Sequence, residues 1–222
     1  MRMKPLTEEL PKSLLPVGGR PILEYQIDLL REAGVREIVM LIGHLGEKIK
    51  YHFGDGSKFG VRIVYVEQKQ ALIGTAYALH LAKNLLGEKS FVVLYGDVLA
   101  EISLSDFIHQ HIASGSSATI ALTSLKEPGE YGMTRLRGQK IVEFVEKPGG
   151  RDEFSYVVNA GIFCFSPTIF GSLPGNKNAS LEKEVFPRLA REEQLNGYIF
   201  EGKWFDIGTQ EIYQRAIREW KR

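Results

Sequence analysis

The sequence predicts an α/β protein with a doubly wound, mostly parallel sheet, and two observations carry that expectation. Up to Asp97 the chain runs helix, strand, helix, strand, helix, strand, the rhythm of strands joined by helical crossovers. Its strand segments are short apolar runs closed by Gly or a charged residue, as strands covered on both faces require.

In order, Pro21 to Ala33 places Ile22, Leu23, Ile27, Leu29 and Leu30 largely on one helical stripe with Gly34 as a stop. Glu37 to Ile42 reads as a buried strand, Gly46 to Phe53 as a helix, and Val61 to Glu67 as a strand of β-branched and aromatic residues. Leu72 to Leu86 is a helix rich in Ala and Leu, and Phe91 to Tyr95 is the next buried strand. Helix Leu104 to Ala113 and strand Ala118 to Thr123 continue the first half. Then the texture changes: strands Thr134 to Leu136 and Ile141 to Val145 flank the turn signal Arg137-Gly138-Gln139, a hairpin pattern. Val157 to Phe165 is a strand, Ser166-Pro167 starts a helix-like piece, and Pro174 to Ser180 is a polar loop. Helix Leu181 to Glu192, a strand near Leu195 to Phe200 and an amphipathic helix from Gln210 to Trp220 follow. With no repeat, low-complexity tract or clear linker, the expectation is a single domain over 1–222 with a mixed-strand second half.

The 222 residues are 44% hydrophobic and 25% charged, a globular composition. Twenty-eight Lys+Arg against 27 Asp+Glu leave a formal net charge of +1, so no global field favours nucleic acid or a membrane, and any anion site must be local. One cysteine, Cys164, in an apolar strand excludes an intrachain disulfide framework and a multi-Cys zinc cluster, and fits a reducing cytoplasm. Neither a membrane-length apolar run nor a signal-peptide core is present in the sequence, so a cytoplasmic location is expected.

Several short constellations carry chemistry. Pro11-Lys12 through Pro16 holds a lysine between prolines, a restrained amine suited to a phosphate; a solvated loop lysine is the competing reading. Gln68 follows a strand and Gly74-Thr75-Ala76 opens a helix: the amide can pair with a nucleobase edge and the glycine admits a planar group, whereas a plain helix cap with a surface Gln explains the same residues. Asp97 ends a buried strand, where α/β sheets present ligands, and Asp206 lies among apolar residues before the last helix. At ~4 Å two such carboxylates repel by about 4 kcal/mol at an effective dielectric of 20, a penalty that a divalent cation such as Mg2+ reverses. An N-cap role competes for Asp206. Glu146-Lys147-Pro148 ends a strand with an acceptor for sugar hydroxyls and a cation for phosphate, Asn159-Ala160-Gly161 adds an amide beside small residues, and Tyr131-Gly132 exposes a backbone N–H.

Together, Pro5-Leu6-Thr7, Pro11-Lys12, Gln68 with Gly74-Thr75, Gly96-Asp97, Glu146-Lys147-Pro148, Asn159-Ala160-Gly161 and Asp206-Ile207-Gly208-Thr209 resemble, in this order and across nearly the whole chain, the sugar-1-phosphate nucleotidyltransferases. That family includes glucose-1-phosphate thymidylyl- and uridylyltransferases and mannose- or heptose-1-phosphate guanylyltransferases. The resemblance implies a Rossmann-like three-layer α/β/α fold of the nucleotide-diphospho-sugar transferase type, with a nucleotide-binding half over about 1–123, a sugar-binding half over about 124–222 and no C-terminal β-helix. It implies formation of an NDP-sugar and pyrophosphate from an NTP and a sugar 1-phosphate by in-line attack on the α-phosphate. Arg2 and Lys12 would act on the triphosphate, and Asp97 and Asp206 would hold Mg2+. Lys147 would grip the sugar phosphate, with Glu146, Asn159 and the Gly132 backbone on the sugar, while Gln68, Gly74 and Thr75 would face the nucleotide.

Gln68 inclines the base towards uracil or thymine; Ser180-Leu181-Glu182-Lys183 resembles the guanylyltransferases, so UTP, dTTP and GTP all stay open, as does a homo-oligomer. Family members open with a buried strand and a loop of the kind Leu-Ala-Gly-Gly-x-Gly-x-Arg, whereas this sequence starts at Met1-Arg2-Met3. The expectation is therefore either residues upstream of Met1 or another segment in that strand's place. If the phosphate loop is lost, the alternative function is a non-catalytic sugar-nucleotide-binding or regulatory subunit; a glycosyltransferase is a third reading.

Overall fold

The computed structural model describes Met3 and residues 5–68, 74–148 and 155–221. In chain order the elements are α1 (Leu6–Glu9), β1 (Pro16–Val17), β2 (Arg20–Pro21), α2 (Ile22–Glu32), β3 (Glu37–Ile42), α3 (Gly46–Phe53), β4 (Arg62–Glu67), α4 (Thr75–Leu86) and β5 (Phe91–Leu94). There follow β6 (Val98–Ala100), α5 (Leu104–Ser114), β7 (Ala118–Ser124), β8 (Gly132–Arg137), β9 (Lys140–Glu146), β10 (Val157–Phe165), α6 (Phe186–Arg191), β11 (Leu195–Ile199), β12 (Trp204–Asp206) and α7 (Gln210–Glu219). The chain forms two compact units that interleave along the sequence: residues 1–71, 94–105 and 202–222 in the first, 72–93 and 106–201 in the second. Each is described by itself.

In the first unit the expected parallel pairing is present: β3 and β4 run in register from Glu37↔Arg62 to Ile42↔Glu67. Among the described residues β4 is the strand partner that β3 has. Met40, Ile42 and Ile63 from this pair pack with Ile27 of α2 and with Ile49 and Phe53 of α3. The apolar stripe of α2 thus has a physical object, and Gly34, at φ +82, ends that helix in a conformation that costs other residues strain. A second cluster joins Leu15, Val17, Ile22 and Tyr25 to Leu99, Phe205, Ile207, Tyr213 and Trp220. It rests on a strand pair too short to read from periodicity, β6 against β12, antiparallel, with Trp204↔Ala100, Phe205↔Leu99 and Asp206↔Val98. The phenols of Tyr25 and Tyr213 donate to Val17 O and Pro16 O, each at 2.8 Å, and tie α2 and α7 to β1.

The second unit departs from a mostly parallel sheet. Its strands follow the order β5-β10-β7-β11-β9-β8, and a further pairing of β10 with β8 closes β10, β7, β11, β9 and β8 into a small barrel-like ring. Within that ring β7 and β11 pair in parallel, whereas β8–β9, β9–β11, β7–β10 and β8–β10 are antiparallel. The short turn at Gly138, φ +61, forces its two strands antiparallel. A register shift between Asn159 and Phe163, with Gly161 at φ +72, bends β10. Phe163, Phe165 and Phe186 fill the interior with Phe144 against Phe186, each buried ring contributing about 1.5–3 kcal/mol. The expected helix Leu181 to Glu192 is two pieces: a wide π-helical turn, Leu181–Val185, precedes α6, because Pro187 at its start has no N–H to continue a regular ladder backwards. Cys164 is fully buried, and burial pushes its thiol up to about 12, so it behaves as a small apolar side chain. No helix among the described residues is long and apolar enough to cross a membrane.

His111 of α5, 1% exposed, faces Thr119 Oγ1 at 2.8 Å and Ser166 Oγ at 3.1 Å. Burial holds its pKa below the ordinary value. The unfolded chain therefore takes up this proton first, near pH ~6.5, so the contribution of neutral His111 is complete above that value and is lost as the pH falls towards its folded pKa. Urea unfolding followed from about pH 7.5 to 5 should show the wild-type chain losing up to ~1.4 kcal/mol per pH unit that a His111→Gln variant retains. Parallel pH profiles would reject this role for His111.

Candidate functional site

In the first unit two predicted side chains meet, and the backbone brings a third predicted residue onto the neighbouring strand end. Pro11 precedes a 3-10 turn, Lys12–Leu14, anchored by buried Leu14, and this sets Lys12 Nζ 3.2 Å from Asp97 Oδ2 across 85 residues of sequence. Asp97 sits in the turn that opens β6, where Val98 N donates to Tyr95 O at 3.0 Å. Asp206 is the end of β12 and is paired with Val98, the residue after Asp97. Ile207 N donates to Asp97 O at 2.9 Å, so backbone bonds hold both aspartates on neighbouring strand ends. With side chains 39% and 28% exposed, the Lys12–Asp97 pair is worth no more than about 1 kcal/mol to the fold. The competing reading of Asp206 as N-cap is settled by Thr209, whose hydroxyl accepts from Ile212 N at 3.2 Å. Gln68 follows β4, its N–H on Ile42 O at 2.8 Å and its Oε1 beside Gly43. Arg2 lies outside the described residues.

Sequence reasoning passed over one residue here. Gln26, 4% exposed on the buried face of α2, donates from Nε2 to Tyr95 O at 2.8 Å and Val98 O at 2.6 Å, the carbonyls on either side of Gly96-Asp97. Its signal was a polar residue within an apolar helical stripe, which burial makes costly unless it is paired.

In the second unit the segment 177–182 docks on the start of α4. Gly74 N donates to Lys177 O at 2.9 Å and Ala76 N to Ala179 O at 3.0 Å. A Cβ at Gly74 would lie 1.9 Å from Ala179 O, so what approaches this glycine is the loop's own backbone. Thr75 Oγ1 donates to Glu182 Oε2 and accepts from Leu181 N, both at 2.8 Å. Ser180 Oγ adds a third bond, 2.7 Å to Glu182 Oε2, so a carboxylate that is 8% exposed is held by two hydroxyls. Glu182 was visible in sequence only as part of a stretch resembling relatives.

Glu146, half-buried at the end of β9, has its pKa raised first by burial and then by the charge of Glu182, with Lys147 and Lys183 opposing. Gly132 pairs with it across the β8–β9 ladder. A Cβ at Gly132 would meet Phe144 Cζ at 2.6 Å and Glu146 Oε2 at 2.9 Å, so glycine keeps that carboxylate in place. Lys147 adopts φ +47, a region L side chains seldom occupy, before Pro148. Asn159 Oδ1 accepts from Gly161 N at 2.8 Å, which turns the amide NH2 into the end it can offer.

No group of three or more His, Cys, Asp and Glu side chains able to hold a metal ion occurs among the described residues. The donor set of Asp97 and Asp206 nonetheless fits Mg2+, which takes oxygen ligands and binds through one or two carboxylates together with substrate phosphates.

The sequence matches the Nucleotidyl transferase family over residues 1–222. It is 35% identical over 223 residues to "Probable mannose-1-phosphate guanylyltransferase 1" of Oryza sativa subsp. japonica, covering 98% of this chain and 61% of that one. It is 34% identical over 230 residues to the mannose-1-phosphate guanylyltransferase catalytic subunit beta of Danio rerio, covering 98% and 63%. The chain thus spans about three fifths of these relatives. A crystal structure from Bacillus anthracis named as a glucose-1-phosphate thymidylyltransferase superposes with a TM-score of 0.89 at 26% identity, covering 100% of this chain and 92% of that one. A UDP-glucose pyrophosphorylase solved with UDP-glucose shares the fold, with a TM-score of 0.84 at 23% identity and coverages of 97% and 92%.

Replacing Thr75 by Val strips Glu182 of a donor and Leu181 N of its acceptor. Chemical denaturation should show a loss of about 1–3 kcal/mol, restored largely by Thr75→Ser. An unchanged midpoint would mean that the 177–182 segment does not depend on this clamp.

Proposed function

The chain belongs to the sugar-1-phosphate nucleotidyltransferases of the Nucleotidyl transferase family, and from that premise we propose that it makes an NDP-sugar and pyrophosphate from an NTP and a sugar 1-phosphate. The observation that carries the proposal is the β6–β12 register, which sets Asp97 and Asp206 on adjacent strand ends with Lys12 Nζ 3.2 Å from Asp97. A sugar-phosphate oxygen forms a bond to the α-phosphorus as the bond to the pyrophosphate oxygen breaks. Such a displacement asks the protein for alignment and for compensation of negative charge.

Lys12 meets the triphosphate and exchanges its carboxylate partner for phosphate oxygen when the nucleotide binds; Arg2 is assigned the same task from sequence. Asp97 and Asp206 are the residues that hold Mg2+, which when bound supplies charge neutralisation on the phosphates. Lys147 takes the sugar phosphate, its position imposed by the left-handed backbone. Glu146 accepts from a sugar hydroxyl, Asn159 Nδ2 and Gly132 N–H donate to the sugar, and Gln68 presents an amide to the base. Gly74 and Thr75, assigned to the nucleotide from sequence, also hold the 177–182 segment by hydrogen bonds. We assign GTP and mannose 1-phosphate as the first pair to test, because the relatives at 34% and 35% identity are named for that reaction. A cytoplasmic site of action fits the single buried thiol.

Pyrophosphate release from GTP, UTP and dTTP, each with mannose, glucose and heptose 1-phosphate and Mg2+, tests the proposal. Turnover with one pair supports it. Binding of an NDP-sugar by calorimetry with no turnover from any pair would replace it with a sugar-nucleotide-binding subunit. Lys147→Ala should raise KM for the sugar 1-phosphate by about 10–100-fold, more than KM for the NTP, as expected when a charge-assisted contact to one substrate is removed. Gly132→Ala should shift the same constant by displacing Glu146, and the opposite order of the two KM changes would mean that the substrates are exchanged.

A further inference from the structure

We propose that Gln26 is a positioning residue for the Asp97–Asp206 carboxylate pair, acting through the turn that carries Asp97. The inference rests on the metal assignment above and extends it to a residue one layer behind. Residues Tyr95 to Val98 form a tight turn with Gly96 and Asp97 at its centre, closed by Val98 N on Tyr95 O at 3.0 Å. Gln26 Nε2 reaches the carbonyls of both corner residues, at 2.8 and 2.6 Å. Both partners are pure acceptors, so the amide must present its NH2 group there, and each of its two hydrogens has one carbonyl. The single side chain therefore fixes the separation of the two turn ends, and with it the direction in which Asp97 leaves the backbone.

From the other side Ile207 N holds Asp97 O at 2.9 Å, and Val98, one of the two residues that Gln26 grips, is the register partner of Asp206. A shift of Val98 is thus transmitted to both carboxylates. The helix around Gln26 is otherwise apolar on this face, with Ile22, Tyr25, Ile27, Leu29 and Leu30 buried, and packing alone would be served by Leu or Met. What the amide adds is direction. Residues that orient metal ligands from behind commonly change metal affinity by about 10–100-fold when replaced.

The test compares Gln26→Met, close in volume and without donors, with wild type, Asp97→Ala and a packing control on the same helix, Leu29→Ala. Mn2+ alone is titrated against each protein by the EPR signal of the free ion, and thermal unfolding is recorded in parallel. Gln26→Met should bind Mn2+ at least ~10-fold more weakly than wild type and raise the Mg2+ concentration for half-maximal pyrophosphate release by a similar factor. Leu29→Ala should lose thermal stability with no change in Mn2+ affinity. Gln26→Asn, which keeps the amide on a shorter stem, should weaken Mn2+ binding less than Met does, and it carries the test if the Met variant does not fold. Mn2+ affinity unchanged in both Gln26 variants, with Asp97→Ala impaired, would overturn the positioning role and leave the metal assignment standing. Wild-type Mn2+ binding unaffected by Asp97→Ala would overturn the metal assignment itself, and this inference with it.

Discussion

Three residues of antiparallel ladder, Val98–Ala100 against Trp204–Asp206, hold the first unit together in a way its other contacts do not. The pair brings chain from near residue 100 beside chain from beyond residue 200, and its inward side chains, Leu99 and Phe205, enter the cluster with Tyr25, Tyr213 and Trp220. Burying them stabilises the unit by an ordinary few kcal/mol. The same ladder aligns two aspartates that are 109 positions apart by their own numbers, 97 and 206. One element thus carries both an apolar face, Leu99 and Phe205, that anchors the unit and, at its end, the carboxylates to which the proposed phosphate chemistry is assigned.

The second unit solves a different problem. A ring of mostly antiparallel strands supplies closely spaced ladder positions at which several polar groups are fixed at once, and the proposed sugar site draws on them. Gly132 and Glu146 are direct neighbours across one ladder, and the bend in β10 at Asn159 to Gly161 turns an amide out of the regular pattern. Glu182 comes from elsewhere, held by Thr75 and Ser180 at the π-helical turn. Burial first, and then the charge of Glu182, raises the cost of ionising Glu146, which Lys147 and Lys183 oppose.

Most helices and strands were legible because their signals are local. The apolar stripe of α2, the β-branched run of β4 and the Gly-centred turn of the β8–β9 hairpin each lie within a dozen residues. Boundaries agree closely at β3, α3 and β10, and the parallel β3–β4 pair follows from the crossover between them. The closed ring of the second unit was not legible, since nothing local announces which long-range edges meet. Neither β6 nor β12 is long enough to show a period, and an alternation of three residues is indistinguishable from chance. Likewise a glutamine in a helix reads as surface until its two carbonyl partners, about 70 residues away, are known.

By itself the sequence determined the chemical inventory and its order: Lys12, Asp97, Glu146, Lys147, Asn159 and Asp206, each at the end or edge of an element, in a family pattern spanning the chain. Side-chain type and local backbone preference suffice for that. Tertiary structure alone decided which groups are neighbours: that Lys12 pairs with Asp97, and that Gly74 admits the backbone of a loop about 100 residues on. The reason is that hydrogen bonding and burial over separations of about 100 residues are set by the packed chain as a whole, and no window of sequence contains both partners.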